Sequence, residues 1–289
     1  MLFGMPVWYG DIRKGDYEPP FAKAKELGFD YIEFSVDHPV LRIIDGVRIA
    51  QIKELQERYG IGMAFHCPWN QQLADPRPEI REGSLKYIER CVDFSRNFSP
   101  LYVCFHMYAS MGSWGAFPEL RDDVISSAIE AAGKISGMGD THSIPVLIEN
   151  DPRARIGTIR EIGLILDKNP GLKLCLDLPH VLLNNWALEQ CGRDPEKSEI
   201  SDWFSKFSQR INAVHINDVA IQDGGGLQEH LPLGKGVLGK DMPGICSLID
   251  KSACEHIVPE VFFSDAKRTP VSAGELKASL DTVKQLIRK

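Results

Sequence analysis

Short apolar runs recur along this chain, and each of them stops on an imidazole or a carboxylate. Gly60–His66 (GIGMAFH) ends in His66, Leu101–His106 (LYVCFH) in His106, and Ile144–Asn150 (IPVLIEN) delivers Glu149. Leu172–His180 (LKLCLDLPH) breaks into Asp177, Pro179 and His180, Ile211–Asp218 (INAVHIND) carries His215, and His256–Phe263 (HIVPEVFF) carries Glu260. Apolar runs of about four to eight residues suit strands buried on both faces, as in parallel sheets. Between them lie segments of helical spacing: Phe21–Leu27, Val47–Tyr59, Glu79–Asn97, Leu120–Ile135, Ile156–Leu166, Ile200–Gln209, Met242–Ile249 and Ala273–Ile287. Gly28 and Gly60 stand where the first two of these should stop. Strands alternating with helices predict an α/β fold. Strands that all bring chemistry to their carboxyl ends predict a single (β/α)8 barrel with a metal site at that mouth.

At 289 residues the chain fits one such barrel, for which about 250 residues is typical. No second compositional regime interrupts it, so residues 1–289 are expected to form one domain. Leu2–Tyr9 reads as the first strand, and Phe29–Ser35 (FDYIEFS) as the second, with Glu33 and Ser35 on one face. No apolar run approaches the roughly 18 residues of a membrane span. The opening MLFGMPVWYGDIRKGD lacks the basic start of an export signal. The seven cysteines form no CxxC pair and several fall in apolar segments, so they read as free thiols of a reducing cytoplasm. A net charge of −7 disfavours broad electrostatic capture of nucleic acid, although a bound cation would supply its own positive charge.

The candidate metal ligands are His66, His106, Glu149, Asp177, His180, His215, His230 and Glu260. Nitrogen and carboxylate oxygen without thiolate suit Zn²⁺, Mn²⁺, Fe²⁺ or Co²⁺, with zinc or manganese first. One ion cannot use so many side chains, which leaves one to three ions open. Any one of these residues is as readily structural. Buried together without a cation, they would crowd like charges into one cavity at several kcal/mol each. His38, His142 and His256 read as surface or hydrogen-bonded imidazoles, and Asp218 as a turn cap. Trp8, Tyr9, Trp69, Tyr108, Trp114 and Trp186 fall on loops, where they either plug the barrel mouth or offer a stacking face to a sugar ring or an unstacked nucleotide. Arg153 and Arg155 are candidates to hold phosphate or carboxylate. Gly224-Gly225-Gly226 and LGKG lack the context of a phosphate loop and read as a mobile lid.

The stretches HCPWNQQLAD, LIEN, LDLPH, HIND and EHLPLGKG, with the strand ending in His106, resemble the xylose-isomerase-like barrel superfamily over nearly the whole chain. That superfamily contains sugar and sugar-phosphate isomerases and epimerases, and also abasic-site nucleases of the endonuclease IV type. In the first branch the resemblance implies one divalent ion on Glu149, Asp177, His215 and Glu260. Glu149 and Glu260 would then be the catalytic pair, moving a proton between opposite faces of a hydroxy-carbonyl substrate through an enediolate. His180 would orient that substrate, with Glu33, Trp69, Trp114 and Arg153 as further binding residues. In the nuclease branch it implies three zinc ions. His66, His106 and Glu149 would hold one, with Glu149 bridging to a second on Asp177, His215 and Glu260. The third would use His180, His230 and an aspartate where this chain has Gln228, unless Asp223 or Glu229 takes its place. Met107-Tyr108 after His106 and Asp151-Pro152 after LIEN depart from the nuclease pattern.

The first expectation is therefore a metal-dependent isomerase or epimerase acting on a small sugar-like compound. The alternative is zinc-dependent phosphodiester hydrolysis at abasic DNA, the one reading with a nucleic-acid partner. The third is a non-catalytic metal-binding barrel. No membrane partner is expected, and the oligomeric state, including a homo-oligomer, stays open.

Overall fold

The computed structural model describes residues 1–8, 10, 15–110, 119–152, 156–190, 192–193, 196–222 and 225–287. Its strands are β1 (Leu2–Val7), β2 (Tyr31–Ser35), β3 (Gly62–His66), β4 (Val103–His106), β5 (Val146–Glu149), β6 (Lys173–Asp177), β7 (Ile211–Ile216), β8 (Asp218–Ile221), β9 (Leu227–Leu231) and β10 (His256–Pro259). All but β8 and β9 close into a parallel barrel in the order β1-β2-β3-β4-β5-β6-β7-β10. The register sets His106 level with Glu149 and Asp177 level with His215. Strand ends therefore deliver donors to one mouth at matching heights.

The helices are α1 (Glu18–Leu27), α2 (Val40–Ile43), α3 (Gly46–Tyr59), α4 (Pro78–Ser95), α5 (Leu120–His142), α6 (Ile159–Lys168), α7 (Leu178–Gln190), α8 (Ile200–Phe207), α9 (Met242–Asp250) and α10 (Ala273–Ile287). Their apolar faces and the outward strand residues make the large outer core, while Tyr31, Ala64, Tyr102, Cys104, Leu147, Cys175, Ala213 and Val258 fill the barrel. No helix among the described residues is long and apolar enough to cross a membrane.

Three segments differ from the sequence reading. α5 runs on to His142 instead of stopping at Ile135, despite Gly137 and Gly139. A Cβ on Gly139 would lie 2.3 Å from Val146, so that glycine lets the helix press against β5 rather than ending it. α7 is missing from the helical segments read in the sequence; its Leu178, Val181, Asn184 and Leu188 are buried. Its weak amphipathic pattern hid it, because Asn184 is buried by donating to the Asp151 carbonyl at 2.8 Å. Ile211–Asp218 is not one strand: it breaks at Asn217, and β8 turns back through β9 as an antiparallel hairpin. Beside the triple glycine read as a lid, the Gln222 N–H at the end of the hairpin strand donates to the Gly226 carbonyl at 2.7 Å. Asp223 and Gly224 lie outside the described residues.

Asp218 is more than a turn cap. Fully buried, it accepts from the backbone N–H groups of Val219, Gly234, Gly236, Leu238 and Gly239 at 2.8–3.2 Å. The Gly234 and Gly236 amides of the LGKG stretch are thereby satisfied by the protein itself.

A second buried carboxylate network ties three helical segments together. Arg121 of α5 reaches Glu161, the capping residue of α6, at 2.8 Å and also pairs with Glu196. Arg193 adds a 2.7 Å bond to Glu196. The hydrogen bond from Arg193, opposed by burial and reinforced by Arg121, lowers the Glu196 pKa from 4.5 to about 2. A depressed carboxylate contributes stability above its unfolded pKa and loses it as pH falls through the folded value. The chain should therefore lose urea resistance between pH 4.5 and about 2, and Glu196→Gln should flatten that slope. Identical slopes for the two proteins in urea titrations across this window would contradict the assignment.

Candidate metal centre

Glu149, at the end of β5 and only 1% exposed, is the hub of the mouth. Its Oε2 lies 3.1 Å from His66 Nε2, 3.5 Å from His106 Nε2 and 3.6 Å from His215 Nδ1. Its Oε1 lies 3.3 Å from His180 Nδ1. His215 Nδ1 also faces Asp177 Oδ2 at 3.9 Å and Glu260 Oε2 at 3.7 Å. On the hairpin side, Glu229 stands between His180 Nε2 at 3.4 Å and His230 Nε2 at 3.6 Å, and His230 Nδ1 is 3.7 Å from Glu260. All eight predicted ligands thus meet in one cup, joined by Glu229. Donors bonded at about 2.1 Å to one ion stand roughly 3–3.5 Å apart, close to these separations.

Local structure explains each placement. Asp177 accepts from the His180 N–H at 2.7 Å, so the LDLPH turn folds the imidazole back over the strand end. His230 sits in the hairpin at φ +64°, a left-handed backbone that costs a non-glycine residue about 1–2 kcal/mol. Asn217 Oδ1 holds its N–H at 2.6 Å. Strain of this kind, kept where it aims a ring into a cluster, is characteristic of functional sites.

One nitrogen of each of four rings is tethered. His66 Nδ1 bonds the Cys67 carbonyl at 2.9 Å, His180 Nδ1 the Asn150 carbonyl at 2.8 Å, and His230 Nδ1 the Glu260 carbonyl at 3.1 Å. His215 Nε2 bonds Glu33 Oε2 at 3.2 Å. Each partner is an acceptor only, so the tethered nitrogen carries the hydrogen and the opposite nitrogen turns a lone pair toward the carboxylates. Lone pairs facing carboxylates repel unless a cation or proton lies between them. Asp177 Oδ2, His215 Nδ1 and Glu229 Oε2 are buried without a hydrogen-bond partner among the described residues. The donor set therefore fits divalent ions.

Protons compete for the same space. Burial would lower the His66 pKa, but the hydrogen bond and charge of Glu149, with Glu33 and Glu260, raise it to about 10. Burial likewise opposes the outcome at Glu149, where His106 and His215 hold the carboxyl well below its ordinary range. Burial itself, with the charges of Glu149 and Glu260, pushes Asp177 up to about 7 against His180 and His215. A cation entering the cup displaces these protons.

Other predicted residues fall differently. Glu33, expected to bind substrate, is buried, with its Oε2 3.2 Å from His215 Nε2 and its carboxylate within 4.8 Å of donor atoms of His215 and Glu260. Trp69 is 48% exposed and lines, with Trp8, Asp37, His38, Asn70 and Gln71, a groove of about 320 Å³. Trp8 and Trp186 are exposed. Trp114, Arg153, Arg155 and Tyr9 lie outside the described residues. His142 faces Asp93 at 3.4 Å, His38 is exposed, and His256 packs on Tyr31 and Tyr102 below the cup. Gln228 turns away, accepting from Arg268 at 3.1 Å, and its neighbour Glu229 supplies the carboxylate instead. Sequence reasoning missed Cys104, whose thiol donates to Glu149 at 3.4 Å, and Asn150, whose side chain brackets the Asp177 backbone at 2.8 and 2.9 Å.

Known proteins resemble this chain in two directions. A probable endonuclease 4 of Aquifex aeolicus is 28% identical over 248 residues, 82% of this chain and 83% of that protein. Another, from Haloarcula marismortui, is 23% identical over 254 residues, 84% of this chain and 83% of its own length. Among solved structures, the D-allulose 3-epimerase from Methylomonas sp. in complex with D-allulose superposes with a TM-score of 0.73 at 17% identity, covering 99% of this chain and 96% of that one. That likeness is one of fold. The profile of the Xylose isomerase-like TIM barrel family matches residues 21–286, and with the closed parallel barrel described above it establishes that the chain belongs to this family.

Proposed function

We propose that the chain is a divalent-metal-dependent enzyme that hydrolyses phosphodiester bonds. The observation that carries this reading is the partition of the donors. His66 and His106 gather on Glu149, Asp177 and His215 lie between Glu149 and Glu260, and His180 and His230 flank Glu229. Imidazole-rich sites usually hold an ion with about four ligands, so the set exceeds what one ion uses. Bound there, divalent ions would supply Lewis acidity to phosphoryl oxygens and lower the pKa of an attacking water.

The chain's own groups divide the remaining work. Glu149, ionised and enclosed, keeps the imidazoles aimed at a common centre. Of the three carboxylates around His215 Nδ1, Glu260, whose side chain is 14% exposed against 1% for Glu149 and 0% for Asp177, is the one that an incoming water can reach; Glu229, 20% exposed, stands on the His180 and His230 side. Glu260 accepts the proton of that water as general base. The groove at Trp69 offers an aromatic face to the organic part of a substrate. An abasic duplex is the first substrate to try, given the endonuclease 4 relatives. With a net charge of −7, its capture relies on the cup more than on a basic surface.

A second reading, epimerisation, draws support from one feature. Glu149 and Glu260 both approach His215 Nδ1, at 3.6 and 3.7 Å, and a carboxylate pair across one site suits proton removal and return.

Chelator-stripped protein reloaded with zinc or manganese separates the two. Hydrolysis predicts about two or three ions per chain by elemental analysis, with cleavage of bis(p-nitrophenyl) phosphate and of an abasic duplex. About one ion per chain, no cleavage, and deuterium uptake from heavy water into ketoses would replace it with the epimerase reading.

A further inference from the structure

Below the cup, the barrel holds a polar column where α/β barrels normally stack branched aliphatic side chains. Tyr31 and Glu33 on β2 share the inward face, as do Tyr102, Cys104 and His106 along β4 and the residue before it. The Tyr31 hydroxyl is 3.2 Å from the Tyr102 hydroxyl, the Tyr102 hydroxyl donates to Glu33 Oε2, and His215 Nε2 is 3.2 Å from that same oxygen. Small neighbours make room for the column. Ala64 stands in register with Glu33, and a Cβ on Gly4 would lie 2.4 Å from the Tyr31 ring. His256 closes the floor, its ring centroid 5.6 Å from that of Tyr31 and 5.1 Å from that of Tyr102.

We infer that Glu33, Tyr102 and Tyr31 form a positioning column that fixes the hydrogen of His215 on Nε2 and so aims its Nδ1 lone pair into the cup. The order of the hydrogens follows from the donors. Tyr102 has one hydrogen and gives it to Glu33, so its oxygen accepts from Tyr31. All hydrogens then run toward Glu33. Were Glu33 unable to accept, the His215 hydrogen would find three carboxylates around Nδ1, those of Glu149, Asp177 and Glu260, and the lone pair would leave the cup. Burial raises the pKa of both phenols well above 10, so they stay neutral donors at ordinary pH.

The inference rests on the metal cup and not on the reaction performed there. Zinc affinity by competition with a chelator, and the His215 tautomer by ¹⁵N NMR of the metal-free protein at alkaline pH, where the imidazole whose pKa the surrounding charges raise is neutral, test it. Glu33→Ala should weaken zinc binding about 10- to 100-fold and move the hydrogen onto Nδ1. Glu33→Gln, whose amide oxygen still accepts, should recover most of both, and Tyr102→Phe should show a smaller loss of affinity. A purely structural role would lower thermal stability while leaving the tautomer in place. Wild-type tautomer together with affinity within about twofold of wild type in all three variants would overturn the column. Should Glu33→Ala fail to fold, the near-isosteric Glu33→Gln and Tyr102→Phe carry the same readouts. A wild-type protein that holds no zinc would remove the cup instead, and the tautomer would still decide the column.

Discussion

Glu149→Gln is expected to lower kcat/KM about 10²- to 10⁴-fold and to strip the protein of most of its metal. The substitution keeps the volume of the side chain but exchanges one carboxylate oxygen for an amide that cannot accept. That carboxylate lies within 3.6 Å of nitrogens on His66, His106, His180 and His215, so no donor group of the cup escapes the change. Glu260→Gln should behave otherwise. It leaves the His66, His106 and Glu149 group intact, so metal content should fall less than activity. Steady-state rates at saturating zinc, set beside elemental analysis of the same samples, check the contrast. A Glu149→Gln protein with wild-type ion content and most of its activity would show that the hub is not the hub.

The second large effect is on stability. Asp218→Asn should cost about 3–5 kcal/mol and lower the melting temperature on the order of 10 °C. Asparagine matches aspartate in shape, yet it has one acceptor oxygen where Asp218 uses both of its oxygens for the N–H groups of Val219, Gly234, Gly236, Leu238 and Gly239. The new NH₂ would face donors. The loop has no room to relax, since a Cβ on Gly236 would already lie 2.1 Å from the Val219 carbonyl. Calorimetric melting of the two proteins measures this, and a shift under about 2 °C would mean the amides find water instead.

The barrel was legible because its strands are buried on both faces and break at once into chemistry; Leu172–His180 alone gives strand, turn and two donors. Seven of the eight residues that meet in the cup were legible for the same reason, whereas His230 came from the stretch EHLPLGKG, which belongs to no such run. The tethers were not, because three of them end on backbone carbonyls, of Cys67, Asn150 and Glu260, which every residue possesses. Glu33 was visible as sharing a face of β2 with Ser35, but alternation gives a side chain its face and not its partner, so its contact with His215 Nε2 was not legible. α7 escaped because buried Asn184 broke the apolar pattern while satisfying a carbonyl. Gln228 pointed to a missing ligand only if the hairpin register was assumed; in β9 the neighbouring Glu229 is the residue that faces the cup.

Because one carboxylate touches donors on every side, ions bound as proposed above would not fill this mouth independently. Whatever first settles against Glu149 changes the charge and the posture that the next arrival meets, and thermodynamic reciprocity requires the second to act on the first by an equal factor. Loading should therefore proceed in distinct steps of unequal strength, with the last-bound ion exchanging most readily with the surrounding pool.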